Sequence, residues 1–248
     1  MVWPPLTPVL VTGIFISRQN SGLAMLFRAV VIASIIFSTA AIAREVMVNS
    51  TAIEVEAAGL CELEDSNAID NTMLTRMREL DDRNMILAMY ADCRQLNAWR
   101  KDTDLGLPDT LSYKASKSYR GKPKGQLAEA IIKQLCDKMR ADGDRATNGA
   151  VQDIKAKVEQ YIKNYDTTGV KYLGVVDEAP GICYTAILQK VKAENGETIA
   201  TISMMSVLFI RDQMMFAYRA SPYVDSSSLV TTLANIKASN AALVAANR

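Results

Sequence analysis

The chain is predicted to be an α+β protein, an antiparallel sheet with helices on its faces in an α/β/α sandwich-like arrangement. Three observations carry that prediction. Four strand-like runs follow one another at the C-terminal end: Val170–Val176, Ile182–Lys192, Thr198–Ile210 and Met214–Ala220. They are joined by Pro180-Gly181, Asn195-Gly196 and Arg211-Asp212, and connections this tight join antiparallel neighbours. Helical stripes with a repeat of three and four flank them, and no glycine-rich strand–turn–helix of the parallel nucleotide-binding kind is present.

Taken in order, Ala52–Ala57 reads as a first strand ending at Gly59. Asn67 caps a helix over Ala68–Leu80, whose inward stripe is Ile69, Met73, Met77 and Leu80, with Arg76, Arg78 and Glu79 outward. Met85–Ala91 is an apolar run short enough for a buried strand, and Asp92 opens a brief helix bearing Leu96 and Trp99. Gly106 and Pro108 break the chain before Thr110–Ser116, which alternates as an edge-type strand. A helical hairpin follows at about residues 122–166. Its stripes are Leu127, Ile131, Leu135 and Met139, then Val151, Ile154, Val158, Tyr161 and Tyr165. After the meander, Asp225 or Ser226 caps a last helix bearing Leu229, Leu233, Ile236 and Leu243 on the side that covers the sheet.

Residues 25–43 read as a secretory leader. Met25-Leu26-Phe27-Arg28 supplies a short charged start, Ala29–Ile42 is almost wholly apolar, and Ala41-Ile42-Ala43 is a small-x-small cleavage site. The run is shorter than the roughly 20 residues a membrane span requires, so an uncleaved anchor is the second reading. Met25 is the expected start, residues 1–24 an upstream extension, and residues 44–248 one exported domain, periplasmic or secreted. Residues 1–43 contain two charges, Arg18 and Arg28, and the whole chain has a formal net charge of +1. The remainder is therefore near neutral, which provides no general attraction to nucleic acid or anionic lipid; membrane contact is expected only through an uncleaved leader.

All four cysteines, Cys61, Cys93, Cys136 and Cys183, follow the leader, and an oxidising destination allows three complete pairings. Cys61–Cys93 is favoured because each lies at the end of a neighbouring element. Cys136 on a helix and Cys183 on a strand are expected to be buried. Spacings this long are unlike zinc or thioredoxin-type motifs.

The layout of strand, helix and strand, then meander and closing helix, over Ala52–Ala246 resembles the Mog1/PsbP-like superfamily. Cys61-Glu62-Leu63 with Ala91-Asp92-Cys93 and Trp99-Arg100 is similar to a pattern in uncharacterised exported bacterial proteins. The resemblance implies a binding or accessory module and no particular reaction.

The chain contains no histidine, which excludes serine–histidine and cysteine–histidine catalysis and histidine-ligated zinc. Tyr113 and Lys117 have the spacing of a short-chain dehydrogenase pair but lack the cofactor motif. Ser112 with Lys114, or Ser116 with Lys117, has the composition of a serine–lysine dyad in a stretch too polar to desolvate the lysine. Asp102-Thr103-Asp104-Leu105-Gly106 and Asp142-Gly143-Asp144 are calcium-loop fragments missing later ligands. Met204, Met205, Met214 and Met215 are soft donors that suit Cu(I) but more commonly pack a core. The preferred contact surface is the basic stretch Tyr113, Lys114, Lys117, Tyr119, Arg120, Lys122 and Lys124, for a partner or an anion.

The function expected is an exported, non-enzymatic binding or accessory domain with no cofactor and no metal. Its partner is a protein or an envelope component, and no nucleic acid is expected. The alternatives are an envelope hydrolase with two converging carboxylates, or a ligand-binding module with its pocket between sheet and helical hairpin.

Overall fold

Alternation along the strands divides the side chains of one sheet between two differently covered faces. The computed structural model describes residues 44–57, 59–102, 107–119, 125–141, 166–192 and 198–248, all within one compact unit, Ala41–Arg248. Among these residues the strands are β1 (Arg44–Val48), β2 (Thr51–Val55), β3 (Leu60–Glu62), β4 (Asn84–Asp92), β5 (Thr110–Ser116), β6 (Asp166–Ala179), β7 (Ile182–Lys192), β8 (Thr198–Ile210) and β9 (Gln213–Pro222). The helices are α1 (Ala68–Leu80), α2 (Cys93–Trp99), α3 (126–141) and α4 (Ser226–Ala246). The class is α+β. A seven-stranded antiparallel sheet has the order β3-β4-β5-β9-β8-β7-β6, and β1 and β2 form a separate hairpin.

The meander is present as β6 to β9. Its last tight turn, Arg211-Asp212, has φ of 45° and 66°, the left-handed pair of a type I′ hairpin turn. Asn49-Ser50, with φ of 47° and 68°, makes the same turn between β1 and β2. Strand β1 was not expected from sequence, although Glu45-Val46-Met47-Val48 before an Asn-led turn is the signal it carries. Arg211 joins the two turns, donating to the carbonyls of Ala52 at 2.8 Å and Asn247 at 3.2 Å.

Strand β5 corrects the edge assignment. It pairs β4 on one side and β9 on the other, and Leu111–Ala115 is buried throughout. Its polar residues, Ser112 and Lys114, had suggested an edge; both are interior, and the Lys114 charge is taken up by Asp81 on the same face. The Asn195-Gly196 turn and the second helix of the expected hairpin lie outside the described residues. Helix α3 is present, but its buried line is Ile132, Leu135, Cys136 and Met139, and Leu127 is exposed.

One face of the sheet packs on α4 and the β1–β2 hairpin around Tyr113, Met204, Met215, Ile236 and Leu243. Asp225 caps α4, and the buried Asn240 exchanges hydrogen bonds with Ser206 of β8. This helix is long and apolar enough to cross a membrane, but here its Ile236 and Leu243 pack in the core. The opposite face is covered at two places. Helices α1 and α2 lie over β3 and β4 around Leu63, Leu74, Met89 and Trp99. Helix α3 lies over β7 and β8 around Ile132, Cys136, Cys183 and Val207. Between them runs a stretch of sheet with residues of β5 and β9 as its floor.

Candidate functional site

The floor of that stretch is set by alternation. In β5, Tyr113 points to the α4 face, and Ser112 and Lys114 to the other. In β9, Phe216 and Tyr218 share the side of Lys114, and Phe216 is the direct partner of Lys114 in the ladder. The wall comes from the end of α1. Asp81 is its C-cap, and its Oδ1 accepts hydrogen bonds from the backbone N and the Nδ2 of Asn84, both at 3.0 Å. Its Oδ2 accepts from Lys114 Nζ at 2.7 Å.

The Lys114 ammonium also stands 4.5 Å from the centroid of the Tyr218 ring. Burial together with the Asp81 carboxylate pushes the Tyr218 phenol above its ordinary value. It therefore remains a neutral hydroxyl throughout the physiological range. Beside that wall runs the rim segment Ser116–Ser118. Lys117 donates its backbone N–H to the Arg83 carbonyl and its ammonium to the carbonyls of Asp81 and Asp82, at 3.2 and 3.3 Å. Ser116 Oγ lies 3.3 Å from Ser118 Oγ and accepts from the Tyr119 N–H. Together Asp82–Asn84, Ser116–Ser118, Phe216 and Tyr218 enclose an open groove of about 600 Å³, within the size range of small-molecule sites. Aromatic surface below and hydrogen-bonding groups at the rim suit a contact that is part apolar and part polar.

The predicted contact stretch is divided by this geometry. Tyr113 is wholly buried on the far side of the sheet, its hydroxyl donating to the carbonyls of Glu56 and Ser239, so it forms no part of a surface. Lys114 is buried beneath the groove and tied to Asp81. Among the described residues of the stretch, only Lys117 stands exposed at the rim, and Tyr119 packs against Phe209 with ring centroids 5.3 Å apart. Arg120, Lys122 and Lys124 lie outside the described residues. Asp81, Asn84, Phe216 and Tyr218 were missed; the alternation of β9, which sets Phe216 and Tyr218 on one face, was the available signal.

Other candidates separate in the same way. Tyr113 and Lys117 do not converge, and Lys114 is charge-paired where a dyad would need it neutral. Met204 and Met215 lie in the α4-side core, whereas Met214 packs on the α3 side, so the methionines do not gather at one point. Most of the first calcium-loop fragment and all of the second lie outside the described residues, which contain no group of three acidic or cysteine side chains placed to hold a metal. The space between α3 and the sheet is filled by Ile132, Leu135, Phe209 and Phe216. A second hollow, about 540 Å³, lies beyond it, between Gln126–Lys133 and Glu178–Gly181.

The cysteines form two disulfides. Cys61–Cys93 is the expected one; Cys136 and Cys183 are buried, as expected, and in addition form a bridge that was not expected, fixing α3 to β7. A fold with two disulfides is suited to an oxidising, extracytoplasmic environment. No protein-family model, curated protein or solved structure matches the chain.

Proposed function

We propose that this chain is an exported, non-enzymatic binding or accessory domain, and that it takes its partner, a protein or another envelope component, at the groove above Phe216 and Tyr218. The observation that carries the reading is the groove's lining: an aromatic floor of Phe216 and Tyr218 and a rim of hydrogen-bonding and charged groups, with Lys114 beneath it paired to Asp81. Such a lining supplies apolar surface and hydrogen bonds for recognition. The two disulfides support export. Membership of the Mog1/PsbP-like superfamily is part of the proposal and rests on the layout alone.

The test is affinity capture from envelope extract, comparing the wild-type chain with Ser118→Arg, which fills the groove mouth from an exposed position, and Lys133→Glu, which lies on α3 outside it. A partner retained by K133E and reduced at least ten-fold by S118R is expected. Equal recovery by all three chains would place binding elsewhere. Intact mass of the exported product is expected to begin at Arg44.

A further inference from the structure

The two disulfides occupy different surroundings. Cys136 and Cys183 are both fully buried between α3 and the sheet, packed with Ile132 and Val207. Cys61 and Cys93 are both partly exposed; Cys61 lies on β3, a three-residue strand at the edge of the sheet, and Cys93 opens α2, whose next residue, Arg94, faces solvent. A thiolate must reach a sulfur in line with the bond it breaks, so access governs exchange. By that criterion one bridge is open to attack and the other is closed.

Cys61 and Cys93 are held together by more than their bond. Asp70 of α1 is wholly buried and ion-paired with Arg100, the C-cap of α2. Arg100 also donates to the carbonyl of Glu62, the residue after Cys61, at 3.4 Å. The Asp70 Oδ2 that pairs with Arg100 also accepts the Glu64 N–H at 2.9 Å, and the Leu63 N–H bonds the Met89 carbonyl at 2.9 Å. On the Cys93 side, Asp92 is fixed by accepting the N–H groups of Arg94 and Gln95, both at 3.0 Å. The ladder pairs Cys61 with Ala91, two residues from Cys93. Both backbones are thus positioned by contacts that involve no sulfur, and their Cα atoms stand 4.9 Å apart.

We infer that Cys61–Cys93 is a reversible thiol–disulfide exchange site that opens and closes on an otherwise unchanged fold, its co-substrate an external dithiol, and that Cys136–Cys183 is the permanent bridge. In the exchange, one thiolate of the dithiol attacks one of the two Sγ atoms. The Cys61–Cys93 bond breaks, and the departing sulfur leaves as a thiolate that takes a proton. The dithiol's second thiolate then attacks the mixed disulfide and releases the other cysteine. The protein gains two electrons and two protons, and the dithiol leaves as its own disulfide. The reverse reaction restores the bridge.

The test uses the purified exported chain with dithiothreitol as the probe, quenched at intervals by iodoacetamide and mapped by peptide mass, with near-ultraviolet circular dichroism recorded in parallel. Alkylation of Cys61 and Cys93 is expected at least ten-fold faster than that of Cys136 and Cys183, with the dichroism retained and the bridge re-forming on oxidation. Equal rates, earlier loss of Cys136–Cys183, or loss of the dichroism as the first pair opens would each overturn the assignment. The variant C61S/C93S is expected to fold and to keep its remaining bridge under the same dithiothreitol; failure to fold would refute the claim that the positions are held without sulfur. Neither outcome depends on the groove or its partner.

Discussion

Asp70 is the residue on which most depends locally. It has no exposed surface, yet it carries a carboxylate whose partners are the Arg100 guanidinium and the Glu64 backbone N–H. Breaking a buried pair from one side leaves the other charge without its counterpart, and Asp70→Ala is expected to cost about 3 kcal/mol in urea unfolding. Tyr113→Phe is the milder case, since it removes one hydroxyl whose hydrogen is shared by two carbonyls, and about 1 kcal/mol is expected in the same assay. Neither role was legible in the sequence. Asp70 lies on a helix whose stripe of Ile69, Met73 and Met77 places it off the apolar line, and its partner Arg100 is thirty residues further along the chain. Tyr113 and Lys114 were read together as surface because they adjoin other basic residues. The strand's alternation sends them to opposite faces, and only the pairing of β5 with β9, far away in sequence, buries both.

Elements whose signals are local were read closely. The Asn67 cap, the Asp92 cap and the Arg211-Asp212 turn each depend on a few neighbouring residues, and α1 and α2 start where those caps place them. The position of β5 inside the sheet, and the register of α3, depend on long-range partners and were misread. Turn chemistry offers a test at this scale. Asp212 sits at φ of 66°, a region that glycine occupies without the crowding a Cβ imposes. Asp212→Gly is therefore expected to raise stability by about 1 kcal/mol, read as an increased urea midpoint with an unchanged slope. A decrease would mean that the Asp212 side chain contributes more than its backbone conformation costs.

For the whole molecule, chain connectivity and charge set the limits of stability. The buried bridge closes a segment of 47 residues, and loop entropy alone assigns the double variant C136A/C183A a loss of about 4 kcal/mol in chemical denaturation. The pH profile follows from which groups titrate. With no histidine, no side chain changes charge at its ordinary pKa between about pH 5 and 8, so a flat plateau is expected there. On the acid side, Asp177 is held below its ordinary 3.8 by a hydrogen bond from Lys237, Asp65 by Arg78, and Asp225 by Ser227. A lowered carboxylate contributes stability in full above its unfolded value and loses it as pH falls through the folded one, so stability declines below about pH 4. On the alkaline side burial raises Tyr90, Tyr113 and Tyr218 above 10.0. Raised groups contribute below their unfolded value and lose that contribution as pH climbs past it, giving a second decline above about pH 10. Asp177→Asn removes one acid-side contributor, and in thermal melts from pH 2 to 11 it is expected to flatten the acid limb and leave the plateau and the alkaline limb in place. A step near pH 6.5 in the wild-type profile would contradict this account, because no side chain has an unperturbed pKa there to produce it.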